Sequence, residues 1–89
     1  MIDLQFLPKV RSNVQHQIID GESVILDRDR GVIHQLNETA SFIWQCCDGS
    51  NSIHNIVILL TDHFSTTEEI ANNDVINVIT NFKELELLE

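Results

Sequence analysis

The stretch VQHQIIDGESVILDRDRGVIHQLNETA, running from Val14 to Ala40, decides the fold. Val14-Gln15-His16-Gln17-Ile18 alternates apolar and polar residues with the period of a strand. Asp20-Gly21 follows, a pair suited to a two-residue hairpin turn, where both positions need positive φ. Glu22-Ser23-Val24-Ile25-Leu26 is short, apolar and β-branched, so it reads as the return strand. Asp27-Arg28-Asp29-Arg30-Gly31 is a polar turn ending in a glycine that tolerates positive φ. Val32-Ile33-His34-Gln35-Leu36 completes a three-stranded antiparallel meander. Pro8 stands upstream as a stop before the first strand.

Helical spacing begins where the alternation ends. Asn37 is a good N-cap, and Glu38 falls in the first turn, where the helix dipole favours an acid. Ala40, Ile43, Trp44 and Cys47 recur at the spacing of one helix face, and Asp48-Gly49 ends the run. Ser52 caps a second helix with Ile53, Ile56, Val57, Leu60 and Phe64 on one stripe. Thr66 and Glu69 have capping-box spacing. They open a longer third helix with Ala71, Val75, Val78, Ile79, Phe82 and Leu85 on one face. No repeat, linker or low-complexity segment interrupts the chain, so a single domain is expected over residues 1–89. The predicted class is α+β, a winged-helix-like module with a three-stranded antiparallel sheet followed by three helices.

The whole chain is consistent with that size. It has 89 residues, 43% hydrophobic and 21% charged, which describes one small folded domain with a modest core. Five Lys and Arg stand against 14 Asp and Glu, a formal charge of −9 that repels nucleic-acid phosphates. The longest apolar run, Ile56 to Leu60, falls far short of the roughly 20 residues that span a bilayer. Met1-Ile2-Asp3-Leu4 has no basic residue, which argues against a signal peptide. The two cysteines are adjacent and cannot build a disulfide framework. A cytoplasmic protein with no membrane or nucleic-acid partner is expected.

Catalytic chemistry finds little footing. The chain has no Tyr, three Gly, and no phosphate-binding or nucleophile-elbow motif. His16, His34, His54 and His63 are scattered, and no nucleophile, base and orienter can be assembled. Cys46 and Cys47 are poor metal ligands, because neighbours on a helix point about 100° apart. Cys47 reads as a small core side chain flanked by Cys46, and no metal or cofactor is expected. Trp44 reads as core. The acidic cluster Glu84, Glu86 and Glu89 opposes the helix dipole, so the C-terminus is expected to fray or stay solvated.

Two features remain for function. The strand Val32–Leu36 is an edge with no Pro or Lys to blunt it. The third helix carries Ile70 and Ile76 off its main stripe. An apolar edge beside an amphipathic helix suits an extended peptide docking by strand addition. The same edge suits pairing with a second copy of the chain.

Leu36-Asn37-Glu38-Thr39-Ala40, Ile43-Trp44 and Cys47-Asp48-Gly49 resemble the signature of the PqqD family, the small proteins D of pyrroloquinoline quinone biosynthesis. Pro8-Lys9-Val10, Gly21-Glu22, Leu26-Asp27 and Gly31 also resemble the family. So do Ser52-Ile53, Ile56-Val57, Leu60, Phe64, Glu68-Glu69, Asp74-Val75, Phe82, Leu85 and Leu87-Leu88. The resemblance covers about residues 8–88. Glu86 departs from it, standing where the family has Gly, so the third helix is expected to run straighter or fray differently at its end.

The resemblance implies a non-catalytic recognition module for ribosomally made, post-translationally modified peptides. Such a module holds the leader segment of a precursor peptide and presents it to a modifying enzyme, often a radical SAM protein. The leader would add to the third strand and pack against the third helix. The peptide-binding residues would then be Val32, Ile33, His34, Gln35 and Leu36, with Ile70, Asp74 and Asn77 on the helix flank. Two other readings stay open. One is a docking or regulatory partner of an enzyme that binds no peptide itself. The other is a DNA-binding winged helix, which charge disfavours: the third helix sets Lys83 alone against Glu68, Glu69, Asp74, Glu84, Glu86 and Glu89.

Overall fold

In the computed structural model, which describes residues 3–89, Asp20 and Gly21 take φ of 53° and 79°. Two consecutive left-handed residues make a turn of the I′ kind, whose twist matches the strands that it joins. It connects β1 (Val14–Ile19) to β2 (Glu22–Asp27), and β3 (Val32–Leu36) follows. All pairing is antiparallel, in the order β1-β2-β3, so β1 and β3 are the two edges. The part of the signal-peptide argument resting on Met1-Ile2 lies outside the described residues.

Three helices follow: α1 (Glu38–Cys46), α2 (Ile53–Phe64) and α3 (Glu68–Glu84). The α+β class, a three-stranded antiparallel sheet followed by three helices, is as the sequence predicts. Asn37 caps α1 by accepting from the Ala40 amide, and Ser52 caps α2 by accepting from that of Asn55. The cap of α3 differs from expectation. Thr67, not Thr66, accepts from the Ile70 amide, which leaves Glu69 inside the first turn rather than closing a capping box.

Register sorts the strand side chains. Ser23, Ile25 and Asp27 stand opposite Leu36, His34 and Val32, and opposite Ile18, His16 and Val14. Directly opposed residues share a face, so these nine side chains form the inner face toward the helices. Val14 and Ile25 join one core with Ile43, Trp44, Ile56, Leu60, Val75, Ile79 and Phe82. Trp44 meets Phe82 edge to face at 5.2 Å and ties α1 to α3. Both rings are core, as their positions on the stripes predict.

Two corrections concern the chain's ends. The segment before β1 is more than a stop at Pro8. Carbonyls of Phe6 and Leu4 accept from the Ile53 and His54 amides, donors that the first turn of α2 cannot satisfy itself. Pro8 accepts from Gly49, and Lys9 and Val10 bridge to Asp48 and Leu88. The C-terminal tail is held rather than frayed. Leu87 is fully buried, Glu89 donates its amide to the Lys9 carbonyl at 2.7 Å, and Glu86 pairs with Arg30.

Candidate functional site

The two-residue turn fixes which backbone groups of β3 are free. In such a hairpin the closing pair, here Ile19 and Glu22, exchanges both hydrogen bonds, and the pattern then alternates. Glu22, Val24 and Leu26 therefore direct their N–H and C=O groups toward β1. Ser23, Ile25 and Asp27 direct theirs toward β3, where they meet Leu36, His34 and Val32. Ile33 and Gln35 are left with donors and acceptors pointing out of the open edge. Their side chains point the other way from the helices, and Ile33 is 66% exposed. The Gln35 amide reaches Glu22 on that outer face at 2.6 Å.

The inward row of β3 is incompletely covered. Val32 is 41% exposed, and His34 and Leu36 are half-buried, although all three face the helix layer. Leu36 packs on the core, while Val32 and His34 leave apolar and polar surface beside the free edge.

α3 packs on the same core, and its C-terminal end is tied to the turn before β3. Its buried stripe is Ala71, Val75, Ile79 and Phe82. One flank is occupied, because Lys83 lies 4.6 Å over the Phe6 ring. The opposite flank carries Asp74, Val78, Asn81 and Leu85, with Ile70 and Asn77 at its outer rim. Arg30, in the turn before β3, donates to the Leu85 carbonyl at 3.1 Å and so draws this flank toward the sheet edge. Ile70 is 53% exposed, Asp74 is half-buried and Asn77 is exposed. Ile76, the other off-stripe residue, sits on the Lys83 side and is half-buried.

A clasp missed in the sequence locks this arrangement. Asp27 is part of β2 rather than of the polar turn, and it is 1% exposed. Arg11 donates to its carboxylate at 3.2 Å, and Arg30 lies 4.0 Å away. The Arg30 amide also reaches Asp27. Period-two alternation carried one residue further would have found it, since Asp27 shares a face with Ile25.

The family model for coenzyme PQQ synthesis protein D (PqqD) matches residues 22–88, well over half of the chain. The chain belongs to the PqqD family. Two solved structures resemble it along nearly their whole length. TbiB1, in complex with the TbiA(beta) leader peptide, superposes with a TM-score of 0.79 at 25% identity, over 91% of this chain and 94% of that one. A lasso peptide synthetase B1 complexed with its leader peptide gives 0.78 at 26% identity, over 92% and 95%. No curated protein matches significantly.

Where PqqD proteins have Gly near the end of the third helix, Glu86 adopts φ of 57°. The helix neither straightens nor frays there. The Leu87 amide bonds to the Phe82 carbonyl and the Glu86 amide to that of Lys83, the pairing of a helix end closed by a left-handed residue. The fold keeps the glycine's conformation and accepts the strain of a side chain, about 1 kcal/mol.

The remaining candidates sort by environment. Cys47 is buried, donates to the Ile43 carbonyl at 3.2 Å, and has its thiol pushed up to about 12 by burial, with Cys46 and Asp48 adding to it. Cys46 does more than flank the core: it is 9% exposed and its thiol is also raised, first by burial and then by Asp48. Such thiols are poor nucleophiles and poor ligands at neutral pH. His63 is exposed and stacks on Phe42 at 4.4 Å. His16 bonds the Ser23 hydroxyl. Among the described residues no three His, Cys, Asp or Glu side chains gather as a metal site, and no helix is long and apolar enough to cross a membrane.

Proposed function

We propose that this chain is a non-catalytic recognition module that binds the leader segment of a ribosomally made precursor peptide as a fourth strand on β3. The observation that carries the reading is the β3 edge. Ile33 and Gln35 offer unpaired donors and acceptors next to an inward row that the helices do not fully cover. Main-chain bonds at such an edge give affinity, and pockets for alternate side chains give selectivity. The two similar structures hold leader peptides, which supports the same ligand class here.

Val32, His34 and Leu36 would contact inward leader side chains, and Ile33 and Gln35 would pair with its backbone. Ile70, Asp74 and Asn77 would line the far side. The partner enzyme we assign is a modifying enzyme of the radical SAM or a related class, acting in the cytosol on the peptide held here. Amide shifts on titrating a cognate leader test the proposal. They are expected to cluster in residues 31–36 and 70–78. Shifts centred on residues 53–63 would overturn strand addition even with tight binding, and no shifts at all would favour the enzyme-docking reading.

A further inference from the structure

Between Arg30 and Lys83 the chain contains no Lys or Arg. β3, α1, α2 and nearly all of α3 lie in that interval. The five cations outside it are engaged. Lys9 pairs with Glu89, Arg11 with Asp27, Arg30 with Asp27 and Glu86, Arg28 with Gln15, and Lys83 with the Phe6 ring. Glu38 and Asp74 form no ion pair among the described residues.

The charges are also ordered along the edge. Arg30 sits at the Val32 end and grips the last turn of α3 through Leu85. Glu38 follows Leu36 at the other end, and Glu22 reaches Gln35 there. Asp74 stands in the first half of α3, away from the Arg30 end. An antiparallel added strand would place its N-terminal end beside Leu36. Its residue opposite His34, and those two positions to either side, would face α3.

We infer that the site selects peptides with Lys or Arg toward the N-terminal end of the paired segment, at an inward position facing Asp74. This rests on the peptide-binding reading. The unpaired edge defines the site, and the carboxylates set which peptides it keeps. Unneutralised acids beside the edge attract a cation and reject an acid at the same place.

The test is selection of displayed random peptides on the intact chain, followed by fluorescence anisotropy of the winners. Winners are expected to carry Lys or Arg near the N-terminal end of an alternating segment. Changing that residue to Glu should weaken binding by about 10-fold or more, a gap that 0.5 M salt narrows. In Asp74→Asn the gap should shrink to about 3-fold or less. Winners that lose binding to Ile33→Pro yet are neutral or acidic at that position would overturn the inference and leave the peptide-binding reading intact. Winners indifferent to both Ile33→Pro and Gln35→Pro, or no winners at all, would overturn that reading itself. Circular dichroism checks that the proline variants fold. If either does not, amide shifts of the wild type with a winner bound decide the same question, since binding away from residues 31–36 fails the reading.

Discussion

The sheet has two open edges, and they differ in what stands beside them. By the same alternation that frees Ile33 and Gln35 on β3, β1 turns the backbone groups of Val14, His16 and Ile18 outward. Neither edge carries Lys or Pro. On β1, however, Val14 already donates to the Arg11 carbonyl, and the His16 side chain is taken up by Ser23. A shallow wedge at the end of the sheet runs from Ile18 of β1 past Ser23 to Leu36 of β3, floored by Ser41, Phe42 and Phe64, so both edges border it. On β3, Arg30 in the preceding turn ties the end of α3 to the sheet through the Leu85 carbonyl. Free donors attract any strand, but an edge becomes selective when a second wall reads the side chains.

The sharpest way to break this comparison is a matched pair of prolines. Ile33→Pro removes an outward donor on β3, and Ile18→Pro removes one on β1. Leader binding measured by anisotropy should fall about 100-fold or more in the first and stay within about 2-fold in the second. Equal losses would mean that the two edges are equivalent.

The wall can be loosened next. Asp27→Ala leaves Arg11 and Arg30 without their buried acid and frees the turn that draws α3 to the edge. Chemical denaturation should show a loss of about 3 kcal/mol. A loss below about 0.5 kcal/mol would mean that the clasp sets neither fold nor groove. Ile70→Ala and Asp74→Ala touch the wall alone. Each should weaken leader binding by about 1–2 kcal/mol in calorimetry with an unchanged melting curve.

A smaller effect separates core from edge. The raised Cys47 thiol is protonated in the fold and ionises near 9 when unfolded. A folded value above the unfolded one gives stability that is complete below pH 9 and is lost as pH rises toward about 12. Stability should drop by about 1 kcal/mol between pH 7 and pH 10 from this group, and Cys47→Ala should flatten that slope. Leader affinity per folded molecule should not follow it, because Cys47 lies away from β3. The smallest change is Glu86→Gly, which relieves a left-handed side chain at the end of α3. It should raise stability by about 0.5–1 kcal/mol, and a decrease would show that the Arg30 pair outweighs the strain.

Much of this was legible in the sequence because local rules governed it. Asp20-Gly21 set the hairpin, and Asn37 and Ser52 set two helix starts. Register then followed from the turn. What escaped were contacts between residues far apart in the chain. Asp27 looked like turn because its partner Arg11 lies beyond another strand. The N-terminal segment looked like a lead-in because its carbonyls serve α2. Cys46 looked peripheral because it lies off the α1 stripe, yet it is buried in the core cluster. At the candidate site, the pattern of β3 revealed an exposed edge. Which residues face outward depended on the closing pair of the neighbouring hairpin, which no property of β3 itself encodes.

The segment before β1 and the C-terminal tail close on each other, and this bears on how the molecule opens. Lys9 and Val10 meet Asp48 and Leu88, and the Glu89 amide closes back on Lys9. Contacts between such distant residues form late, after the hairpins and helices have shortened the loop to be closed. They also release first, as a local unit of low stability at both ends of the chain. Amides of Arg11, Ile53, His54 and Glu89, which donate across this seam, should exchange with solvent ahead of those in the middle of β2 and α3. The seam and the β3 side meet at Arg11, whose amide donates to the Leu87 carbonyl and whose guanidinium holds Asp27.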